Sequence, residues 1–210
     1  MSATKQKILK TSLDLFNEMG ITKTSLRGIA DKAGISVGNL QYHFKKREEI
    51  VEALYFQLVE EMNHKFIIPK EKLFTSFLST FEKVIEGFYA YRFFLLDFVS
   101  ISRKHQKIKY HYRDLTKQRE QIALALFDQL IKEGLFRQEL LHDEYRNVYK
   151  RIEILSNFWF SSILIQEDTI KETTIKDFSK VILQSVYPYL TEKGRGEFSA
   201  LYPKSIKEQG

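Results

Sequence analysis

The chain has 210 residues, of which 43% are hydrophobic and 29% are charged, and its formal net charge is +6. This balance is typical of a folded globular protein and excludes a disordered chain. With no cysteine, the chain has no disulfides and no thiolate metal sites, which suits a reducing compartment. The amino-terminal segment has no signal-peptide pattern, and no apolar stretch is long enough for a membrane span. We therefore expect a soluble, cytoplasmic protein.

The positive charge is concentrated near the amino terminus. Residues 1–50 contain nine Lys or Arg and five Asp or Glu, a net charge of +4, so the rest of the chain contributes +2. A basic segment is the expected footprint of a nucleic-acid-binding surface, although many solvated helices are equally basic.

Apolar residues recur at helical spacing along most of the chain, and no strand-like alternation bounded by turns is found. The three prolines, Pro69, Pro188 and Pro203, stand where a helix can stop or bend. The sequence therefore predicts an all-α fold. The predicted amino-terminal helices span 5–19, 25–33, 37–44 and 47–65.

Short polar residues and glycines mark the ends of these helices. Gly20 provides a stop for the first helix, and Thr24 or Ser25 can cap the second. Gly34 can adopt the left-handed conformation that ends the second helix, and Ser36 can cap the third. Because only Gly-Ile-Ser separates the second and third helices, they must cross steeply, as in a helix-turn-helix.

The third helix is predicted to have one apolar and one polar face. Val37, Leu40 and Phe44 face inward at the spacing i, i+3, i+7. The polar face suits DNA, because Asn and Gln pair with base edges, Gly allows close approach, and Tyr, His, Thr and Lys hold phosphates. Free amides at the start of the next helix would also favour an anion. A helical hairpin with a polar outer face remains the alternative. The candidate DNA-binding residues are Thr24, Gly38, Asn39, Gln41, Tyr42, His43, Lys45 and Lys46.

Several linked motifs occur in order over residues 5–62: Phe-x-x-x-Gly at the end of the first helix, Thr-Ser before the second, then Ile-Ala-x-x-Ala-Gly-Ile-Ser, and Tyr-His-Phe followed by Lys. This segment resembles the amino-terminal domain of the TetR family of bacterial transcription regulators. The resemblance implies that the short third helix enters the major groove, while the Tyr-His pair and the following lysine hold the DNA backbone. It adds Ser36 to the candidate DNA contacts and makes Thr24 a phosphate contact. Gln41 stands where family members often have an aromatic residue, which leaves open which bases are read.

The remainder of the chain is rich in phenylalanine, with 14 of the 17 residues after position 63. Gly87, Gly134 and the Lys-Gly-Arg-Gly-Glu segment are predicted helix breaks. The aromatic rings could line a small-molecule cavity, or they could simply form a packed core. The predicted helices span about 71–89, 91–103, 105–133, 143–167 and 173–190. The candidate pocket residues are Phe77, Phe81, Phe88, Phe94, Phe98, Phe127 and Trp159.

The resemblance implies a helical ligand-binding and dimerisation domain in this part of the chain. We predict a DNA-binding domain at 1–50 and the second domain at 51–210, coupled through helix 47–65. The last two long helices have apolar faces too wide for one contact, and in the family two such helices form a four-helix dimer interface. Two-fold symmetry would then match a palindromic operator. Asp97 and Glu86 could meet a cationic ligand, face water or pair with basic neighbours.

No catalytic motif is present: the sequence lacks HExxH, GxSxG, a P-loop and GxGxxG. The five histidines are expected to be solvated rather than metal ligands, and no cofactor is predicted, so we predict that the protein is not an enzyme.

The predicted function is a ligand-responsive regulator, a repressor that binds a palindromic operator as a homodimer and is released by a small hydrophobic or amphipathic effector. The alternative is a DNA-binding structural protein of the same fold, acting in chromosome organisation or cell division without an inducer.

Overall fold

The computed structural model describes residues 2–65 and 72–203, and over these residues it contains α-helices and no β-strand. This confirms the all-α prediction. Pro69 lies outside the described residues. The helices are α1 (Ala3–Met19), α2 (Leu26–Ala33), α3 (Val37–His43), α4 (Arg47–Lys65), α5 (Leu73–Ala90), α6 (Arg92–Leu96), α7 (Phe98–Lys104), α8 (Gln106–Lys132), α9 (Glu144–Gln166), α10 (Glu172–Val186) and α11 (Glu192–Leu201), with a 3-10 turn at Tyr187–Tyr189.

The amino-terminal helices begin and end within two residues of their predicted bounds. Ser25, rather than Thr24, caps α2, because its Oγ accepts a hydrogen bond from the Gly28 amide at 3.0 Å. Gly34 has φ 63° and ψ 41°, the left-handed conformation that ends α2. The helix-turn-helix is therefore confirmed as a local structure.

Two predicted carboxy-terminal helices are interrupted. The helix expected over 91–103 consists of α6 and α7, which meet at Asp97 with φ −103° and ψ 14°. Neither Gly nor Pro signals this break in the sequence. The helix expected over 173–190 ends at Val186, because the 3-10 turn that contains Pro188 follows it.

Two of the glycine signals predicted breaks that the structure does not have. Gly87 lies inside α5, where a Cβ atom would overlap the terminal methyl of Met62, so it permits close approach to α4. The Lys-Gly-Arg-Gly-Glu segment lies inside α11, where a Cβ at Gly194 would overlap the Leu135 carbonyl oxygen. These predictions were wrong because a helical glycine can serve close packing. Gly134, with φ 71°, does follow the end of α8 as predicted.

The described residues group into two compact units. One contains 2–65 and 87–112, and the other contains 72–86 and 113–203. The predicted functional boundary at residue 50 stays a prediction. None of the described helices combines the length and the apolar character needed to cross a membrane.

Each unit has its own apolar core. In the first, buried side chains of α1 to α4 pack together, and Phe16 of α1 contacts Phe93 of α6 with ring centroids 5.3 Å apart. Asn17 joins the same two segments, because its side chain donates to the Ala90 carbonyl and accepts from the Phe93 amide. In the second unit, the core is a cluster of aliphatic and aromatic side chains that includes Phe127, which stacks on Tyr145 with ring centroids 4.8 Å apart.

The loop between α8 and α9 is held by an ion pair. Arg137 donates two hydrogen bonds to the Glu144 carboxylate, at 2.8 and 2.9 Å, and the Leu140 amide donates a third at 2.8 Å. The Tyr145 hydroxyl donates to the Arg137 carbonyl at 2.6 Å. The Arg137 hydrogen bonds, with the Leu140 amide, lower the pKa of Glu144 to about 2.

We expect the two glycines of α11 to respond oppositely to alanine. Gly194→Ala should lower the free energy of unfolding by about 1–3 kcal/mol, since its methyl group would collide with backbone. Gly196→Ala is the matched control, because its Cβ would meet no atom within 4 Å. It should stabilise the protein by roughly 0.5–1 kcal/mol through helix propensity. Urea denaturation measures both, and equal effects would contradict the close-packing role of Gly194.

The contribution of Glu144 to stability should depend on pH. Its folded-state pKa of about 2 lies below the ordinary value of 4.5, so its ionised form stabilises the folded state above about pH 4.5. That contribution is lost as the pH falls toward 2. Glu144→Gln should therefore be less stable than the wild type at pH 7, with a difference that shrinks on acidification. Denaturation across the pH range measures this, with Glu197→Gln at an exposed position as control; a difference independent of pH would contradict it.

Candidate nucleic-acid interface

Helix α3 separates its buried and exposed residues by face. Leu40 and the following Phe44 are buried, with 0% and 3% of their surface exposed. Tyr42 is 84% exposed, the largest exposure of an aromatic side chain in the described residues, and its ring meets the partly exposed His43 edge-on at 5.2 Å. The other exposed residues of this surface are Ser36, Gly38, Asn39, Gln41, Lys45 and Lys46.

Ser36 gives α3 its starting point. Its Oγ accepts a hydrogen bond from the Asn39 amide at 3.1 Å, and its backbone is extended, as in a helix cap. The preceding turn is closed by hydrogen bonds from the Gly34 amide to Asp31 and from the Ile35 amide to Ala30. Ser36 thus holds the amino-terminal end of α3 while remaining at the surface.

Thr24 does not belong to this surface. It is buried, with 2% of its surface exposed, and its hydroxyl donates to the Gly20 carbonyl at 2.9 Å. Its amide donates to the Ile21 carbonyl at 3.2 Å. Because both donors are used within the loop between α1 and α2, we assign Thr24 to that loop's structure and omit it from the DNA contacts proposed below.

Arg47 is an important residue that the sequence analysis did not single out. Its Nη1 donates to the carbonyls of Ile21 and Thr24 at 2.9 and 3.0 Å, with the Thr22 carbonyl at 3.4 Å. One guanidinium thus ties the loop between α1 and α2 to the first turn of α4. The sequence did offer one signal for this role: Arg47, whose side chain has five hydrogen-bond donors, stands at the first position of a predicted helix, directly after two lysines.

The start of α4 is less open to an anion than expected. The Glu49 carboxylate already accepts a hydrogen bond from the Lys45 amide at 2.8 Å, and Glu48 also lies in the first turn of α4. Two carboxylates at a helix amino terminus stabilise the helix and reduce its attraction for phosphate. Lys45 and Lys46 are exposed, so they remain the candidate phosphate-binding residues at this point of the chain.

Helix α4 is joined by polar contacts to residues 91–111 of the same unit. The Tyr55 hydroxyl lies 2.8 Å from His111 Nδ1, and the Tyr91 hydroxyl donates to Glu61 at 2.5 Å. Burial, together with the Glu61 carboxylate, raises the pKa of Tyr91. These contacts connect α4, the helix that follows α3, to a segment far along the chain.

The histidine expectation was only partly right. His64 and His142 are exposed, and His43 and His111 are partly exposed. His105 is buried, and its Nδ1 lies 3.4 Å from a Glu52 carboxylate oxygen on α4. A histidine at an inward position of a helical pattern is the signal that could have predicted this.

The predicted pocket residues do not form one group. Phe77 contacts Phe81 and Phe127, with ring centroids 5.1 and 5.9 Å apart, in the second unit. Phe94 contacts Phe98 at 5.5 Å in the first unit, which also contains Phe88. The predicted ligand cavity is therefore not assembled from all seven residues within either unit.

Trp159 and Asp97 lie in different parts of the structure. Trp159 stacks on Phe178 at 4.3 Å, and its buried Nε1 has no hydrogen-bond partner in the described residues. A polar cleft of about 50 Å³ in the first unit contains Asp97 but none of the seven aromatic candidates. Its lining residues are Ile21, Thr22, Arg47, Glu48, Val51, Asp97, Ser100, Ile101, Lys104 and His105.

Two family profiles match the chain. The one described as "Bacterial regulatory proteins, tetR family" matches residues 8–54, and the one described as "Bacterial transcriptional repressor" matches residues 57–198. The chain is 29% identical over 147 residues to the HTH-type transcriptional repressor KstR2 of Mycobacterium tuberculosis, covering 67% of this chain and 72% of that protein. It is also 38% identical over 60 residues to the HTH-type transcriptional regulator RutR of Escherichia coli, covering 29% of this chain and 28% of that protein.

Solved structures share the fold. A TetR-family transcriptional regulator from Marinobacter aquaeolei VT8 superposes with a TM-score of 0.86 at 24% identity, covering 99% of this chain and 100% of that one. A protein from Saccharomonospora viridis, solved in complex with choline, superposes with a TM-score of 0.69 at 16% identity, covering 91% of this chain and 100% of that one.

Proposed function

Since the chain belongs to the TetR family of bacterial transcription regulators and is a DNA-binding regulator, we propose that it acts in the cytoplasm as a homodimeric repressor of a palindromic operator and is released by a small hydrophobic or amphipathic effector. The observation that carries the proposal is α3, which buries one face and exposes a continuous polar and aromatic surface on the other. Such a helix fits the major groove.

The exposed residues of α3 divide into two roles. Asn39 and Gln41 read base edges, because their amides can donate and accept at once, a pattern that matches adenine. Tyr42, His43 and the lysines hold backbone phosphates, which fixes the register of the helix without reading sequence. Gly38, where a Cβ would meet no atom within 4 Å, keeps the centre of the surface free for DNA. The proposed DNA contacts are Ser36, Gly38, Asn39, Gln41, Tyr42, His43, Lys45 and Lys46.

An apolar face on α9 and α10 supports the dimer. On α9, Ile154, Phe158 and Ile165 are spaced by one turn and then two turns, so they share a face, and Ile165 is 84% exposed. Helix α10 packs against α9 and exposes Val181. Large apolar side chains left in water along two adjacent helices are typical of an interface. The two-fold symmetry of such a dimer matches the two half-sites of a palindromic operator.

Contacts within the first unit support a role for α4 in release by an effector. Met62 approaches Gly87 closely, and Tyr55 and Glu61 hydrogen-bond to His111 and Tyr91. A shift of residues 87–112 would therefore displace α4 and, through α1, the reading helix. An effector that binds better to the displaced form would lower operator affinity by that difference in binding free energy. Relatives of this fold named for ketosteroid regulation or solved with choline support an organic effector.

Alanine substitutions on α3 should separate reading from phosphate binding. A duplex selected by the wild-type protein from a pool with a randomised, two-fold symmetric site serves as operator. Tyr42→Ala should weaken binding to the operator and to its single-base variants by similar factors, since phosphate contacts carry no sequence information. Gln41→Ala should relax preference at one base pair per half-site, worth about 1–3 kcal/mol.

Gel-shift titration against the set of single-base variants measures both effects. Both residues are exposed, so thermal melting of each variant should match the wild type. Identical patterns for the two variants would contradict the division of roles. If the wild-type protein selects no sequence from the pool even at low salt, the proposed function itself is wrong.

A charge on the α9 face should prevent dimerisation. Phe158→Asp would bury a carboxylate in an apolar interface, so the variant should be monomeric at micromolar concentration. Leu141→Asp is the matched control, because Leu141 is 70% exposed but lies in the loop before α9. Size-exclusion chromatography with light scattering gives the masses. A dimeric Phe158→Asp variant, or a monomeric wild type, would place the interface elsewhere or remove it.

A further inference from the structure

A strongly basic segment lies outside the helix-turn-helix. Residues 98–112 contain four Lys or Arg and no Asp or Glu. The four basic side chains are exposed, at the end of α7 and in the first turn of α8. They are Arg103, Lys104, Lys107 and Lys109.

The segment is anchored by the residues between these basic side chains. Ile101, His105 and Ile108 are buried, with 3%, 7% and 0% of their surfaces exposed. His105 contacts Glu52 of α4, and the Lys107 ammonium lies 5.0 Å from the ring centroid of Phe56, also on α4. The buried His105, together with Lys107, therefore holds the segment against α4, while Arg103, Lys104 and Lys109 are left exposed.

This basic segment continues the DNA-facing surface in space. Lys104 lines the same cleft as Thr22 and Arg47, and Arg47 directly follows Lys45 and Lys46. All of these residues belong to one compact unit. Basic side chains thus stand at the end of α3, at the first position of α4 and at the end of α7, with the carboxylates of Glu48 and Glu49 in the first turn of α4.

The charges of the segment are largely uncompensated. Among the described residues, Arg103, Lys104 and Lys109 form no ion pair. The cleft also contains the carboxylates of Glu48 and Asp97, which offset part of the charge on Arg47 and Lys104. Arg103 and Lys109 lie outside that cleft, so a net positive surface remains.

We propose that Arg103, Lys104 and Lys109 form a second DNA-binding surface, which holds backbone phosphates of the same duplex that α3 reads. This inference rests on the proposed function. A row of exposed, unpaired cations beside a reading helix is complementary to the phosphate backbone, and each phosphate that they neutralise releases condensed counterions. The surface should add affinity and salt dependence without adding base preference.

The test uses the full-length double variant Lys104→Gln/Lys109→Gln, which removes two charges and leaves polar side chains in their place. The matched control is Lys117→Gln/Lys132→Gln, at exposed positions farther along α8 in the other unit. Affinity for the selected operator, embedded in a longer duplex, is measured over a range of salt concentrations. Ethylation interference on the same duplex identifies the phosphates that each protein binds.

Each phosphate that the Lys104→Gln/Lys109→Gln variant no longer neutralises should make the salt slope shallower by about 0.9, so the slope should fall by about 1.8 per protomer and about 3.6 for the dimer on its operator. Ethylation at specific phosphates should cease to interfere with its binding, while its ranking of single-base operator variants stays the same. The control should match the wild type. Unchanged slope and interference in a variant of wild-type stability would overturn the proposal while leaving the proposed function intact, whereas failure of the wild type to bind DNA would overturn both. Weaker binding of the variant to vesicles containing anionic phospholipid, with DNA binding unchanged, would assign the surface to lipid and also overturn the proposal.

Discussion

The turn between α2 and α3 is the constraint on which the reading surface depends. Gly34 adopts a left-handed conformation that other residues reach only with strain, and this ends α2 within one residue. Ser36 can then start α3 at once by capping its amide groups. With so short a connection, the crossing of the two helices is set by local geometry, and the burial of Leu40 and Phe44 fixes the rotation of α3 about its axis. Every exposed side chain of α3 inherits its direction from these two conditions. The same surface would point elsewhere if the link were longer or if the helix could turn.

The amino-terminal part was predictable from sequence because its signals are local. Caps, a left-handed glycine and an i, i+3, i+7 apolar spacing act over a few residues, and α1 to α4 end close to their predicted bounds. Arg47 escaped prediction because its partners are carbonyl groups about 25 positions earlier, which no local pattern reports. Thr24 has a hydroxyl that could donate to a phosphate, but that hydroxyl donates to the Gly20 carbonyl instead. Residue type indicates what a side chain can do, whereas tertiary contacts determine whether it is available.

Glycines and aromatic residues show the same limit farther along the chain. A glycine can end a helix or permit close packing, and only the neighbouring backbone distinguishes the break after α8 from the helical positions of Gly87 and Gly194. Composition likewise indicates many buried phenylalanines without indicating which of them meet. Phe77 and Phe94 belong to different compact units although both lie on aromatic-rich predicted helices. Those ring pairings depend on the folding of distant segments, so the sequence could not predict which rings would meet.

The separation of faces on α3 has a consequence for how this protein can change. Residues that would read bases, such as Asn39 and Gln41, make no contribution to the buried core, while Leu40 and Phe44 make no contribution to the exposed surface. Substitutions that alter operator preference are therefore nearly neutral for folding, and substitutions that repack the core leave the chemistry of the surface intact. Under the proposed roles of these residues, operator preference could change by single substitutions that leave the stability of the fold nearly unchanged. The proposed specificity could therefore evolve separately from the stability of the fold, because a helix of seven residues keeps its buried and exposed side chains on different faces.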